Sequence, residues 1–456
     1  MAVWSLATFS GITIFDRCDG EYFLPIYIKN ENELDLINTT PLPTMFHVSD
    51  GNHLSVSKHF SNVGIPYFRG QDINDFFLEN ALPIRIPEKV FLSPMMTRSH
   101  FYAGDVLLSI VGTIGSLSIV PESFGPATGS CKIAILRSKG NYSPFVLAAF
   151  LLSRFGQLQI QRNTRGAVQM GLILKDLVRI RLPIFEETAA CQIEQLVKQA
   201  IESNRKSKAS YNQAQHLLES ELGLDKLTFK KPVGYTTRFS EVVSNDRVDA
   251  DFYQVKYKQL DAIATKFPIK KVKEISEKLE TGVYSQSYSA KGTMYLRGVD
   301  IDKGFIKSES ILKTNLLIPN PKNMVVKDDI IVTRVGSIGV CAIIEDDHSG
   351  SLFSDNLIRV RLHEKAKEEI AAPYLNLLLN TTYGQMQMTR YSRGSVQQRL
   401  NQTQLAQIPI PIIEKEAQSK IKNLLDKHRS AEKESKKLLE QAKARVEKLI
   451  EEAAAQ

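Results

Sequence analysis

Between Asp105 and Val120 the chain runs Val-Leu-Leu-Ser-Ile-Val, breaks at Gly112 and Gly115, and resumes as Leu-Ser-Ile-Val. β-Branched and aliphatic residues suit a pleated, half-buried surface, and glycine adopts the positive φ of a tight bend. The pattern predicts a strand, a turn and a second strand. It returns between Asp329 and Ile344 as Ile-Ile-Val-Thr-Arg-Val, then Gly336 and Gly339, then Val-Cys-Ala-Ile-Ile. One copy would be an ordinary hairpin; two copies in one frame predict an internal duplication.

Other blocks recur in the same order. Phe9-Ser10 and Asp16–Phe23 match Phe239-Ser240 and Asp246–Tyr253, and Tyr67-Phe-Arg-Gly-Gln-Asp-Ile73 matches Tyr295-Leu-Arg-Gly-Val-Asp-Ile301. Phe155-Gly-Gln matches Tyr383-Gly-Gln, Arg165-Gly-Ala-Val-Gln169 matches Arg393-Gly-Ser-Val-Gln397, and Leu182-Pro-Ile184 matches Ile410-Pro-Ile412. Each repeat is therefore expected to hold a mostly β globular part, with one helix near Ser143 to Gln159 and its partner near Ala372 to Gln387. A long helix follows each globe. Small or apolar residues recur at Ile193, Leu196, Ala200, Ser203, Ser207, Tyr211, Ala214 and Leu217, and again at Ile421, Leu424, His428, Ala431, Ser435, Leu438, Ala442, Val446 and Leu449. Spacings of three and four, with charged residues between, are the seam of a coiled coil. The expected architecture is α+β, with a pseudo-two-fold internal repeat. Globes at 1–185 and 226–410 are followed by helices at 186–225 and 411–456 that pair into an antiparallel coiled coil. A helix over 186–222 would be roughly 55 Å long and would set the distance between the globes.

The length of 456 residues requires two or more domains. A hydrophobic content of 43% and a charged content of 24% are those of an ordinary globular protein. No apolar run approaches the roughly 20 residues of a membrane span. The start lacks the basic segment of a secretory signal, and Cys18, Cys131, Cys191 and Cys341 form no C-x-x-C pair. These features predict a cytoplasmic protein. The net charge of +8 and pI near 9.0 are compatible with a nucleic-acid partner.

Sequence motifs for catalysis are absent. The chain has no Asn/Asp-Pro-Pro-Tyr/Phe motif for amino methylation, no phosphate-binding G-x-x-x-x-G-K-S/T loop, no H-E-x-x-H and no G-x-S-x-G. His53 and His59 lack the carboxylate or cysteine companions of a metal site. Asp19 and Glu21, echoed by Asp249 and Asp251, sit beside Arg17 and Arg247 in both repeats; a structural ion-pair cluster is expected there rather than acid–base chemistry. The paired glycines lack the strand-to-helix context of a phosphate loop and read as hairpin turns. Arg165 and Arg393 admit two readings: contact with DNA, or a tie between loop and sheet.

What fails to repeat is as informative. Asp50-Gly-Asn-His-Leu-Ser-Val-Ser-Lys58 stands where the second repeat has Thr281-Gly-Val-Tyr-Ser-Gln-Ser-Tyr-Ser289, and little beyond the glycine is shared. Segments 76–103 and 304–327 also diverge. A constant frame with two different surfaces suits a protein that reads two different things.

With Asp50-Gly-Asn-His, Tyr67-Phe-Arg-Gly-Gln-Asp-Ile, Gly104-Asp-Val-Leu-Leu, Gly112-Thr-Ile-Gly, Arg165-Gly-Ala-Val-Gln and Ile408-Pro-Ile-Pro in view, the chain resembles the specificity subunit of Type I restriction–modification enzymes over nearly its whole length, in two copies. The second repeat departs at Glu280-Thr-Gly-Val-Tyr, which puts a His53-like role there in doubt. The resemblance implies a non-catalytic subunit whose two target recognition domains each read one half of a bipartite, asymmetric site in double-stranded DNA. It implies partners: two adenine-methylating modification subunits and motor-nuclease restriction subunits. No cofactor or metal is expected in this chain; S-adenosylmethionine, ATP and Mg2+ would belong to the partners. The DNA contacts it implies in the first repeat are Asn52, His53, Lys58, His59, Arg69, Arg98, Arg162, Arg165 and Gln169. In the second they are Tyr284, Gln286, Arg297, Arg334, Arg390, Arg393 and Gln397. Helix positions Ile193, Leu196, Ala200, Leu217, Ile421, Leu424, Leu438 and Leu449 are the expected subunit-binding residues. The open alternatives are recognition for another restriction or phage-defence system, and a coiled-coil scaffold that binds only protein.

Overall fold

A computed structural model describes residues 17, 19–166, 170–229, 232–307, 311–316, 323–394 and 398–455. The chain divides into two compact units, Met1–Lys206 with Ala431–Gln456, and Ser207–Ser430. Each unit takes one globe and a stretch of each of two long helices, Glu187–Leu222 and Lys415–Ala454. No described helix is long and apolar enough to cross a membrane.

In the first unit, Phe46–Asp50, Ile133–Ser138, Val106–Ser109 and Leu117–Ile119 form an antiparallel sheet in that spatial order. The predicted hairpin is present: Val106 faces Ile119 and Leu108 faces Leu117 across it. Gly112 and Gly115 turn it at φ of 91° and 88°. Val106 and Leu108 point into one apolar cluster, with the helix Pro144–Leu152, while Leu107 points into another, with Phe68 and Phe101. The strand is thus buried on both faces, which is why its sequence runs apolar instead of alternating. Each such side chain contributes on the order of 2 kcal/mol.

The second unit repeats this plan. Glu280–Thr281, Leu357–Val360, Ile330–Thr333 and Cys341–Ile343 form the equivalent sheet in the same order. Ile330 and Val332 enter one cluster and Ile331 the other. A second, three-stranded sheet also recurs, and in each copy one strand pair is parallel: Tyr67 against Thr128, and Tyr295 against Leu352. Each globe mixes such short strands with helices.

The single helix expected after the hairpin is two helices in both units. Pro144–Leu152 is followed by Arg154–Asn163, and Ala372–Asn380 by Thr382–Tyr391. The break comes from hydroxyls that bond the preceding turn. Ser153 Oγ donates to the Phe150 carbonyl at 2.6 Å, and Thr381 Oγ1 donates to that of Leu378 at 2.6 Å. Both hydroxyls bond the end of one helix, and Ser153 Oγ also caps the next by accepting from the Gly156 N–H. The Gly-Gln that follows is also explained. Gln157 Nε2 donates to the Gly115 carbonyl at 3.0 Å, and Gln385 Nε2 to that of Gly339 at 2.8 Å, so the helix holds the hairpin turn. Gln157→Ala is expected to cost about 1 kcal/mol. Faster amide exchange at Gly115, whose N–H bonds the Ser109 carbonyl, would check it.

The long helices pair antiparallel within each unit. In the first, Ser435 Oγ donates to the Ala200 carbonyl at 2.8 Å and Arg445 to Gln192 Oε1 at 3.2 Å, over buried Ile193, Val197, Ala200, Leu438, Ala442, Val446 and Ile450. In the second, Ser207 Oγ lies 2.7 Å from His428 Nδ1, and Ala214, Leu218 and Leu222 share a core with Ala417, Ile421 and Leu425. The seam is displaced from the expected one at several positions. Val197, Leu218, Leu425 and Ile450 are buried, while Leu196, Leu217, Leu424 and Leu449 pack half-buried beside them. Each helix covers its globe as well as its partner, so its apolar face is wider than a two-stranded seam.

Candidate nucleic-acid interface

The repeated arginines resolve into braces. Arg17 meets Asp19 at 2.5 Å and Arg247 meets Asp249 at 2.5 and 2.6 Å, which is the expected ion-pair cluster. The guanidiniums hold both carboxyls below the usual carboxylate range. Arg137 grips Asp105 and Arg361 grips Asp329, each bidentate, and both acids are 1% exposed.

Several of the expected DNA contacts have partners within this frame, and two of them, Arg162 and Asn52, are buried. Arg162 is buried, donating to the Tyr22 carbonyl and to Glu31 at 2.6 Å. Arg390 donates to the Phe252 carbonyl and to Asp261 at 2.9 Å, with its side chain 9% exposed. Arg69 and Arg297 close their loops onto Asp72 and Asp300. Asn52 is buried and turned to Leu54, accepting from its N–H at 2.9 Å and donating to its carbonyl at 2.8 Å. Arg334 is half-buried and donates to the Asp355 carbonyl. These groups are held by the protein's own partners, while the side chains of Arg69 and Arg297 stay 37% and 26% exposed. Among the expected subunit-binding residues, Ile193, Ala200, Ile421 and Leu438 are likewise buried within this chain. Gln169 and Gln397 lie outside the described residues.

The equivalents Arg165 and Arg393 part company. The loop frame is the same: Arg165 exchanges backbone hydrogen bonds with Gly171, and Arg393 with Arg399. Arg165 then meets Asp176 through two bonds of 2.6 and 2.7 Å, and that carboxylate is fully buried. At the corresponding position of the second repeat stands Gln404, whose Oε1 accepts from the Asn401 N–H at 2.8 Å in a helix cap. Among the described residues no ion pair engages Arg393, which is exposed and lines a cleft of about 610 Å³ with Lys256, Arg247, Asp249 and Asp251.

The remaining candidates face solvent. His53, Lys58, His59 and Arg98 are exposed in the first unit, and Tyr284 and Gln286 in the second. Chemically the two surfaces differ: histidine, lysine and arginine on one, and Tyr284 with Tyr288 on the other. Asp50 was missed by sequence reasoning. It ends a strand and touches both His53 and Arg98, but Arg98 is distant in sequence and only folding brings them together.

Residues 258–444 match the family model of the Type I restriction modification DNA specificity domain. No curated relative matches the sequence. Solved structures with similarity include a Type-I restriction-modification system S subunit from M. genitalium, at 14% identity over 91% of this chain and 96% of that one, with a TM-score of 0.43. The HsdS subunit from Thermoanaerobacter tengcongensis shows 14% identity over 92% and 95% of the two chains, with a TM-score of 0.28. The family match lies on the second repeat, from the helix Val255–Ala264 into the helix Lys415–Ala454. Residues 258–444 are therefore similar to the Type I restriction modification DNA specificity domain, and the match takes in the second globe together with the first three-quarters of the last helix.

Proposed function

We propose that this chain is the specificity subunit of a restriction–modification complex and reads a bipartite, asymmetric DNA site. Residues 1–185 take one half and residues 226–410 the other. The long helices at 186–225 and 411–456 carry adenine-N6 methyltransferase and restriction subunits, with S-adenosylmethionine, ATP and Mg2+ acting on those partners. The observation that carries this reading is a repeated frame bearing two unlike surfaces. The sheets, broken helices and arginine braces recur, while Asp50, His53 and Arg98 on one unit face no counterpart in Thr281 and Tyr284 of the other. Phosphate contacts supply affinity and base-edge contacts supply specificity, so unlike surfaces imply unlike half-sites. Since the helix seams are filled within the chain, partner subunits would meet the outward faces of these helices.

Exchanging residues 1–185 for those of another such subunit is expected to change one half of the methylated site only. Methylome sequencing of a host with and without each version reads this directly. A change in both halves, or in neither, contradicts the division of labour.

A further inference from the structure

Among the described residues, the first unit carries an arrangement that the second lacks. The Asp50 side chain is 9% exposed and serves two neighbours. Its Oδ2 lies 2.6 Å from His53 Nε2, and its Oδ1 accepts from an Arg98 terminal nitrogen. Both of those side chains are 62% exposed. His53 lies three residues beyond the strand end at Asp50, whereas Arg98 comes from the separate helical turn Pro94–Ser99. A carboxylate only accepts, so Nε2 carries the hydrogen, and in the neutral ring Nδ1 is left as an acceptor. Arg98 keeps the rest of its planar fork as donors. One buried acid thus fixes a donor fork and an acceptor next to each other at the surface.

Two donors of the Arg98 fork followed by one acceptor match a G·C pair in the major groove, whereas an A·T pair would leave the second donor of the fork facing the N6 amine. A G·C pair presents two acceptors on guanine, N7 and O6, and then a donor on cytosine, N4. An A·T pair presents acceptor, donor, acceptor. We propose, resting on the DNA-recognition reading above, that Arg98 and His53 read a G·C pair in the half-site of the first unit, with Arg98 donating to guanine and His53 Nδ1 accepting from the cytosine amine. Asp50 is the positioning residue. In the second unit Thr281 stands in its place and Tyr284 is exposed beyond it, so this readout belongs to one half-site alone.

The test is selection from a randomised duplex library by the full chain and its variants. The wild type is expected to enrich a site with a G·C pair in one half. Arg98→Lys, which keeps the charge but loses the fork, lowers the preference for that pair by roughly 10- to 100-fold. Asp50→Asn does the same at the same position, and His53→Ala relaxes it by roughly 5-fold. The other half-site is unchanged in all three. His53 and Arg98 are exposed, so their variants carry the test even where Asp50→Asn fails to fold. An Arg98→Lys variant that keeps the G·C preference, changing only salt-dependent affinity, overturns the inference while leaving the DNA-recognition reading intact. A wild type that enriches no sequence overturns both.

Discussion

Arg165→Ala is expected to destabilise the first unit by about 2–3 kcal/mol, whereas Arg393→Ala leaves the second unit as stable as before and weakens its grip on DNA. The two residues occupy the same place in the same loop, so the contrast isolates what surrounds them. Asp176 is fully buried, and its two short bonds to Arg165 are its main compensation; Arg179, at 3.6 Å, supplies less. Removing one partner of a buried pair leaves a charge without solvent, which costs more than the pair contributes. A change of this size lowers the thermal midpoint of a unit of this size by roughly 4–10 °C. Arg165→Lys restores the charge but not the bidentate fork and recovers only part of the loss. Arg393 has Gln404 where Asp176 would be, and among the described residues its charge acts on Asp249, whose side chain is 44% exposed, with no ion pair to a buried acid. Its loss is expected to weaken binding to all sequences alike and to reduce the salt slope by about one unit. Differential scanning calorimetry and salt titrations of DNA binding check the two halves of the statement. Equal destabilisation by both variants would show that Arg393 also braces its loop.

Gly282→Ala is expected to cost roughly 3 kcal/mol or more and to yield little folded second unit. A Cβ at Gly282 would lie 1.8 Å from the Phe353 carbonyl oxygen and 2.6 Å from that of Ser354. Neither atom can move freely, because Val283 donates to the Phe353 carbonyl at 2.9 Å and bridges Ser354 in parallel. Gly51 is in the same position in the first unit, with the Gly129 and Ser130 carbonyls both 2.3 Å from its missing Cβ. This explains why one glycine is what the divergent segments at 50–58 and 281–289 share. The strand end must press against a neighbouring backbone before the variable loop departs from it. Gly298→Ala, with open space around its Cβ, serves as the control and is expected to change stability by less than about 1 kcal/mol. Limited proteolysis and thermal unfolding of the purified variants compare them.

Much of the fold was legible because the chain states it twice. The hairpins at Gly112 and Gly336, the long helices and the arginine–aspartate cluster at residue 17 depend on local pattern, and each pattern was present in duplicate. The sheet order could not be read in this way, since it follows from which strands meet across long separations. Nor could the breaks at Ser153 and Thr381, where a hydroxyl bond to the preceding turn overrides a continuous apolar run.

Side-chain roles divide along the same line. The sequence by itself determined which positions are constant and which vary, because duplication is visible without any contact being known. Only the tertiary structure decided what each constant arginine does. Residue type says that a guanidinium seeks an acceptor, but whether that acceptor is Asp176 within the chain or lies outside it depends on what folding brings alongside. Asp50 makes the point most directly: its value comes from holding His53, three residues away, and Arg98, far along the chain, on one carboxylate. Sequence spacing carries the first of these contacts, and only chain closure creates the second.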